Sequence, residues 1–117
     1  MGQPVIYFEY VSSKPEETMS FYSQLFGWTC DHDEEQHYAM VQTGPGHSVM
    51  GGIAGAGQWG DPRVTVYAGV DDVQAYLDKA ESLGGKTVLA PMEVADYGTV
   101  ALFADPAGQV TGLWKRP

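Results

Sequence analysis

Residues 97–114, YGTVALFADPAGQVTGLW, predict two β-strands joined by a tight turn, and the rest of the fold is deduced from this hairpin. The turn, DPAG, covers residues 105–108, where proline presets φ at the second position and glycine suits the fourth. The flanking runs, 100–103 and 110–114, are rich in strand-forming residues. Gly112 interrupts the second run, which indicates that another group approaches the backbone there.

The N-terminal half predicts one strand, one helix and three further strands. Residues 4–11 form the first strand, because they are rich in β-branched and aromatic side chains. In the helix that follows, Ser13 and Glu16 have the spacing of a capping box, and Gly27 ends it. The apolar stripe of this helix is Met19, Tyr22, Leu25 and Phe26. The shorter strands are expected over residues 28–31, 37–42 and 48–53.

The same order recurs after a glycine-rich connection at residues 55–61. A strand is predicted over residues 62–70, and a helix over residues 71–83 with Asp71 and Gln74 as its cap. The apolar stripe of this second helix is Val73, Tyr76, Leu77 and Ala80. The last strands are expected over residues 86–89, 100–103 and 109–114, with a longer loop at residues 91–97.

Matching residues in the two halves support an internal duplication. Pairs 58 residues apart join Pro4 to Pro62, Leu25 to Leu83, Gly27 to Gly85 and Thr29 to Thr87. The separation grows to 62 towards the module ends. The chain therefore predicts an α+β fold with two paired β-α-β-β-β modules, 1–54 and 62–117, in a single domain, 1–117.

Composition narrows the class of protein. A chain of 117 residues can bury a core of its own, and the single cysteine, Cys30, excludes an internal disulfide. No N-terminal signal peptide and no apolar run of membrane-spanning length is visible, so a cytoplasmic location is expected. The formal net charge of -9 disfavours nucleic acid and anionic membranes as partners and permits a cationic ligand.

Alternation in the two first strands separates a helix-covered face from a second face. Side chains predicted under the helices are Ile6, Phe8, Tyr10, Val64, Val66 and Ala68. The opposite face carries Tyr7, Glu9, Thr65 and Tyr67. This second face is either plain solvent-exposed sheet or the wall of a cavity between two curled half-sheets, and we favour the cavity.

Three segments carry a resemblance to a known superfamily: FYSQLFGW at 21–28, VDDV at 70–73 and FADPAG at 103–108. With the paired modules, the chain resembles the vicinal oxygen chelate superfamily of glyoxalase I, bleomycin resistance proteins, fosfomycin-inactivating enzymes and extradiol dioxygenases. This resemblance implies curved mixed sheets around a central pocket, often completed by a homodimer. It also implies that the enzymes among these proteins hold a divalent metal in the pocket.

The resemblance implies metal-ligand positions near Tyr7 and Thr65 on the first strands and near Met50 and Gly112 on the last strands. None of these four is a usual ligand, so we expect no metal cofactor. A shift of two residues would bring Glu9 to the site, yet one carboxylate binds a metal weakly. Recruitment of His32, His37 and His47 is an alternative, although the first two lie in a polar run typical of a solvated loop.

Glu9 is the most informative single residue, because a carboxylate on a pocket wall is a candidate general base or a partner for a cationic ligand. The alternative without a functional role is a hydrogen-bonded structural carboxylate or one at the exposed edge of the strand. Trp59 has little structural reason to lie in a glycine-rich connection, so it is expected to cover a pocket or a dimer contact. The predicted ligand-binding residues are Tyr7, Glu9, Met50, Thr65, Tyr67, Gly112 and Trp114.

Three functions remain open from the sequence. The favoured hypothesis is a metal-free module that binds a small organic molecule, as the bleomycin resistance branch does by resemblance. The alternative is a metal-dependent lyase, isomerase or dioxygenase whose ligands are not recognised. A third possibility is a structural or interaction protein with a vestigial pocket.

Overall fold

A computed structural model describes residues 2–46 and 49–117 of the chain. Over these residues it contains eight strands and two helices, in the order β1 (Val5–Ser12), α1 (Pro15–Phe26), β2 (Thr29–Asp33), β3 (Tyr38–Gln42), β4 (Met50–Gly55), β5 (Arg63–Gly69), α2 (Val73–Ser82), β6 (Lys86–Val94), β7 (Gly98–Ala104) and β8 (Val110–Lys115). The predicted α+β fold with two β-α-β-β-β modules is confirmed. Neither helix in this part of the chain has the length and apolar character that crossing a membrane requires.

The chain forms two compact units. The first unit is Tyr7–Val64, and the second is Thr65–Pro117 together with the chain up to Ile6. In the first unit the strand order is β2-β3-β4-β1, with β1 and β4 parallel and the other pairs antiparallel. The second unit has the order β5-β8-β7-β6, with β5 and β8 parallel. Each unit is therefore a mixed sheet with one helix.

Helix α1 ends where the sequence predicts, but it begins differently. Its N-cap is Lys14, which makes no side-chain capping hydrogen bond, so the predicted capping box of Ser13 and Glu16 is wrong. The Ser12 hydroxyl instead accepts a hydrogen bond from the Lys14 backbone N–H at 3.0 Å. At the other end Gly27 takes a left-handed conformation, with φ of 73°, which a glycine adopts without strain.

The core of the first unit lies between α1 and the sheet. Its buried side chains are Met19, Ala39, Val41 and Ile53. Phe8 and Tyr10 pack against this core, as predicted. Leu25 and Phe26 were predicted to join it, yet they are 57 % and 58 % exposed. The Phe26 ring lies 5.3 Å from the Trp28 ring and 6.1 Å from the Tyr22 ring, so Phe26 packs against these half-buried aromatic residues outside the core.

The core of the second unit lies under α2. The N-cap of α2 is Asp72, one residue later than the predicted cap at Asp71. The Asp72 carboxylate accepts a hydrogen bond from the Ala75 N–H at 3.0 Å. The buried residues of α2 are Val73 and Leu77, which belong to the predicted stripe. Helix α2 packs on β6, β7 and β8, and Ala68 of β5 packs against this core. Val64 and Val66 are 63 % and 43 % exposed, so their predicted burial under a helix is wrong.

Two predicted loops are shorter in the structure than the sequence suggested. Strand β6 continues to Val94 through two register shifts, so most of the loop expected at residues 91–97 is strand. Strand β2 extends to Asp33, so His32 lies in a strand rather than in a solvated loop. In β2 the pairing continues through the polar residues to Asp33, and in β6 it resumes at Met92 after the register shift that contains Pro91.

The predicted DPAG turn is present between β7 and β8. The Gly108 N–H donates to the Asp105 carbonyl at 2.9 Å, and the Asp105 carboxylate accepts from the N–H groups of Ala107 and Gln109, each at 2.9 Å. On β8, Gly112 pairs with Tyr67 of β5, and the Tyr67 ring covers its Cα. A Cβ at this position would collide with that ring, which explains the glycine inside the strand.

We expect Gly112→Ala to lower the free energy of unfolding by about 1 to 3 kcal/mol, because the added methyl group overpacks a buried ring. Urea unfolding followed by circular dichroism measures the change. Gly55→Ala is the matched control, since its added Cβ meets neighbours only at ordinary contact distances of 3.5 Å and beyond. Equal losses in the two variants would contradict this account of Gly112.

Candidate functional site

A cluster of polar and aromatic side chains lies on one face of the first unit. We call it the Glu9 cluster, and its members are Tyr7, Glu9, Tyr38, Met40, Trp59 and Arg63. Residues two apart on a strand point to the same side of the sheet, which aligns Tyr7 with Glu9 on β1 and Tyr38 with Met40 on β3. Strand β4 runs between these two strands.

Two phenols and one carboxylate form a continuous hydrogen-bonded chain in this cluster. The Tyr38 hydroxyl donates to Glu9 Oε2 at 2.8 Å, and it lies 2.6 Å from the Tyr7 hydroxyl. The Tyr7 hydroxyl also lies 3.7 Å from Met40 Sδ, a weak acceptor. These hydrogen bonds hold the carboxylate in one orientation.

Glu9 is an almost completely buried charge, with 6 % of its surface exposed. A buried carboxylate requires a compensating charge or several hydrogen bonds. The guanidinium of Arg63 supplies the charge, with Nη2 3.6 Å from Glu9 Oε1. The negative charge of Glu9 is thus paired inside the protein rather than left for a cation alone.

The ionisation of Tyr38 is strongly perturbed. Burial raises the pKa of its phenol well above the ordinary value of 10.0, and the neighbouring Glu9 charge and the Tyr7 phenol raise it further. Tyr38 therefore remains protonated at neutral and moderately alkaline pH. In that state it is a permanent hydrogen-bond donor to Glu9.

Gly52 makes room for this chain, and sequence reasoning missed its role. On β4 it pairs with Glu9 on one side and with Met40 on the other. A Cβ at Gly52 would collide with the hydroxyls of Tyr38 and Tyr7. The signal was available, because a glycine inside a strand marks a close approach of other groups to the backbone.

The predicted site residues are distributed over both units. Tyr7 and Glu9 join the Glu9 cluster in the first unit, where Met50 pairs with Tyr7 but is 44 % exposed. In the second unit Tyr67 is buried against Gly112, and Thr65 is buried on the same strand. A common pocket that includes all of them stays a prediction.

The other predicted ligand-binding residue, Trp114, lies at the end of β8. Its indole N–H donates to the Tyr97 carbonyl at 2.7 Å, and the Arg116 guanidinium lies 5.2 Å from the centre of its ring. Both contacts fix the ring against the β6–β7 turn and the chain terminus. They give Trp114 a structural reason to be aromatic, whether or not it also contacts a ligand.

The pairing of β1 with β4 and of β5 with β8 changes which residue of the first module corresponds to Gly112 of the second. Gly112 pairs with Tyr67, whereas the residue opposite Glu9 is Gly52. With the first strands matched at 58 residues, Gly52 rather than Met50 is the counterpart of Gly112. Both modules therefore place a glycine on the last strand beside a bulky group from a neighbouring strand.

The residues at the expected metal positions do not fit a divalent metal. Tyr7, Met50, Thr65 and Gly112 would supply a phenol, a thioether, a hydroxyl and no side chain. Within residues 2–46 and 49–117, no three side chains of His, Cys, Asp or Glu come close enough together to hold an ion. His32 and His37 lie at the β2–β3 hairpin, and His47 lies outside the described residues.

The chain resembles known proteins over nearly its whole length. A family model described as "Glyoxalase-like domain" matches residues 6–113. The "Anthracycline biosynthesis protein DnrV" of Streptomyces peucetius is 31% identical over an alignment of 133 positions. The alignment covers 98% of this chain and 47% of that protein. The chain spans about half the length of the curated relatives that it matches.

Solved structures with the same fold have much lower identity. Methylmalonyl-CoA epimerase from Mycobacterium tuberculosis superposes with a TM-score of 0.70 at 13% identity, covering 97% of this chain and 87% of that one. A glyoxalase/bleomycin resistance protein/dioxygenase superfamily member from Vibrio splendidus gives 0.65 at 15% identity, covering 97% and 99%. At such identities the likeness concerns the fold.

We expect Tyr38→Phe to lower the free energy of unfolding by about 1 to 3 kcal/mol, because the buried Glu9 carboxylate loses the hydrogen bond from the Tyr38 hydroxyl. The wild-type protein should also lose stability as the pH rises above 10.0, the ordinary value. There the unfolded phenol releases its proton and the folded one keeps it, so the unfolded state is favoured. This loss should be shallower in Tyr38→Phe.

Urea unfolding between about pH 8 and about pH 11 measures both effects. Tyr97→Phe is the control, because Tyr97 is 51 % exposed and its hydroxyl should contribute little. Identical pH profiles for the wild type and Tyr38→Phe would show that Tyr38 is not a buried, protonated donor.

Proposed function

Because this chain belongs to the family of glyoxalase-like domains, we propose that it is a small-molecule-binding domain that holds an organic ligand at the Glu9 cluster without a divalent metal. The predicted membership of the glyoxalase and bleomycin resistance superfamily is confirmed by the family match and by the fold. The specific function goes beyond that membership and is our inference.

The hydrogen-bonded chain of Tyr7, Tyr38 and Glu9 is the observation that carries this proposal. A buried carboxylate that is hydrogen-bonded to phenols is unusual in a structural core. A protein with apolar residues of similar volume at these positions is often at least as stable. Ligand pockets, in contrast, combine aromatic walls with a few well-placed polar groups. The Glu9 cluster has this composition.

The name of one relative supports an aromatic ligand. DnrV is described as an anthracycline biosynthesis protein, and anthracyclines are planar polycyclic compounds. The half-buried rings of Tyr38 and Trp59 offer flat apolar surface that suits such compounds. We therefore propose a small organic molecule as the partner of this chain, with neither nucleic acid nor a membrane, in keeping with the net charge of -9. The homodimer implied by the resemblance is a further proposal, which a light-scattering mass tests.

We expect Glu9→Gln to weaken the binding of planar aromatic compounds about tenfold, because a charged acceptor is replaced by a neutral amide. Equilibrium dialysis of the purified protein against a panel of such compounds measures the dissociation constants. Glu93→Gln is the control, since it removes the same charge from an exposed position on β6. The proposal fails if no compound binds the wild type below about 1 mM or if Glu9→Gln binds all of them unchanged.

We also expect purified protein to keep less than about one tenth of an equivalent of divalent metal after dialysis, because the donors at the expected positions do not fit an ion. Elemental analysis of protein expressed with added zinc, nickel, iron or manganese provides the measurement. One equivalent of any of them, retained through dialysis, would favour the metal-dependent lyase, isomerase or dioxygenase instead.

A further inference from the structure

The aromatic residue of the glycine-rich connection lies against the Glu9 cluster. The Trp59 ring meets the Tyr38 ring edge to face, with centroids 5.1 Å apart and planes inclined at 61°. Its indole N–H donates to the Gln36 carbonyl at 2.7 Å, and its backbone N–H donates to the Gly55 carbonyl at 3.2 Å. The ring is thus fixed in orientation, and it is only half-buried.

Arg63 connects this segment to the buried carboxylate. While Nη2 lies 3.6 Å from Glu9 Oε1, Nη1 donates to the carbonyl of Trp59 at 3.4 Å and to that of Asp61 at 3.2 Å. One rigid guanidinium therefore contacts both the charge of the cluster and the backbone that carries the aromatic ring. This geometry needs the planar fork of arginine, because a lysine ammonium cannot span the same acceptors.

These contacts define what the cluster can recognise. Since Arg63 balances the charge of Glu9, a cationic ligand would meet a second positive charge beside its carboxylate partner. A ligand hydroxyl, in contrast, can join the chain of oxygen atoms formed by Tyr7, Tyr38 and Glu9. The half-buried face of the Trp59 ring favours a flat partner.

We propose that the site selects planar, uncharged molecules that carry a hydrogen-bond-donating hydroxyl, such as fused-ring phenols, and that Trp59 and Arg63 set this selectivity. The inference rests on the proposed function, because it names the ligand class of the same site. Trp59 is a specificity-determining residue that stacks on the ligand. Arg63 is a positioning residue that excludes cations and holds the Trp59 backbone in place.

Four probes of nearly equal size separate these requirements. Naphthol is planar, uncharged and a donor; methoxynaphthalene lacks the donor; aminomethylnaphthalene is a cation at neutral pH; decahydronaphthol keeps the hydroxyl and loses the flat rings. Isothermal titration or dialysis gives the dissociation constant of each probe for the wild-type chain. We expect naphthol to bind at least about tenfold more tightly than each of the other three.

Variants test which residue sets each preference. Trp59→Leu should weaken naphthol about tenfold and largely abolish its advantage over decahydronaphthol, because the flat surface is lost. Arg63→Met should reverse the charge preference, so that aminomethylnaphthalene binds more tightly than naphthol and raises the melting temperature of the variant. Lys86→Met is the control, since it removes a positive charge from the exposed start of β6 and should keep the wild-type order of the probes.

Arg63→Met leaves the buried charge of Glu9 without its arginine, and this variant could fail to fold for that reason. Two further variants test the proposal in that case. Arg63→Lys retains the positive charge and should still reject the cation, although it cannot hold the Trp59 carbonyl and should bind naphthol less tightly. The double variant Glu9→Gln with Arg63→Met lacks both charges of the ion pair, so neither is left buried without the other. It should show no preference between the cation and methoxynaphthalene.

The outcomes separate this inference from the proposed function. If no probe and no panel compound binds, both fail together. If the wild type prefers the cation or decahydronaphthol, or if Arg63→Met and the double variant both keep the wild-type order of all four probes, the selectivity assigned to Trp59 and Arg63 is wrong while binding at the Glu9 cluster survives. The expected order with its reversal in Arg63→Met supports both.

Discussion

The buried charge of Glu9 is the constraint on which the organisation of the first unit depends. With 6 % of its surface exposed, this carboxylate needs a hydrogen-bond donor and a positive charge in place of the water it has lost. The Tyr38 hydroxyl and the Arg63 guanidinium supply them from the middle and from the end of the unit's sequence. The β2–β3 hairpin and the connection that leads into β5 are therefore tied to β1 by electrostatics as well as by packing.

Glycines in the parallel strands make such crowding possible. Gly52 leaves space for two phenolic hydroxyls, and Gly112 leaves space for the Tyr67 ring. In both units the strand that carries the glycine lies parallel to the first strand of its module. The duplicated architecture thus repeats a steric solution, although one copy admits a polar network and the other a single aromatic ring.

Much of the fold was predictable from the sequence, because the apolar periodicity, the DPAG turn and the duplicated order of elements are local or repetitive signals. The helix starts were less predictable. The N-cap positions are Lys14 and Asp72, and neighbouring polar residues could equally have occupied them. The exposure of Leu25 and Val64 was not visible either, because it depends on which part of each sheet the helix covers. Periodicity identifies an apolar face but not the extent of the surface that lies over it.

The candidate site was only half predictable for a similar reason. Tyr7 and Glu9 followed from strand alternation, whereas Tyr38 and Arg63 lie 29 and 54 residues beyond Glu9 and meet it only through the tertiary fold.

The outer strand of the second unit shows how the fold also limits unwanted association. Strand β6 contains Pro91 and two interruptions of its register, and these features leave its free side without the regular ladder that another chain would need. The β6 edge, which carries the exposed side chains of Val88 and Met92, is therefore a poor template for the addition of another strand.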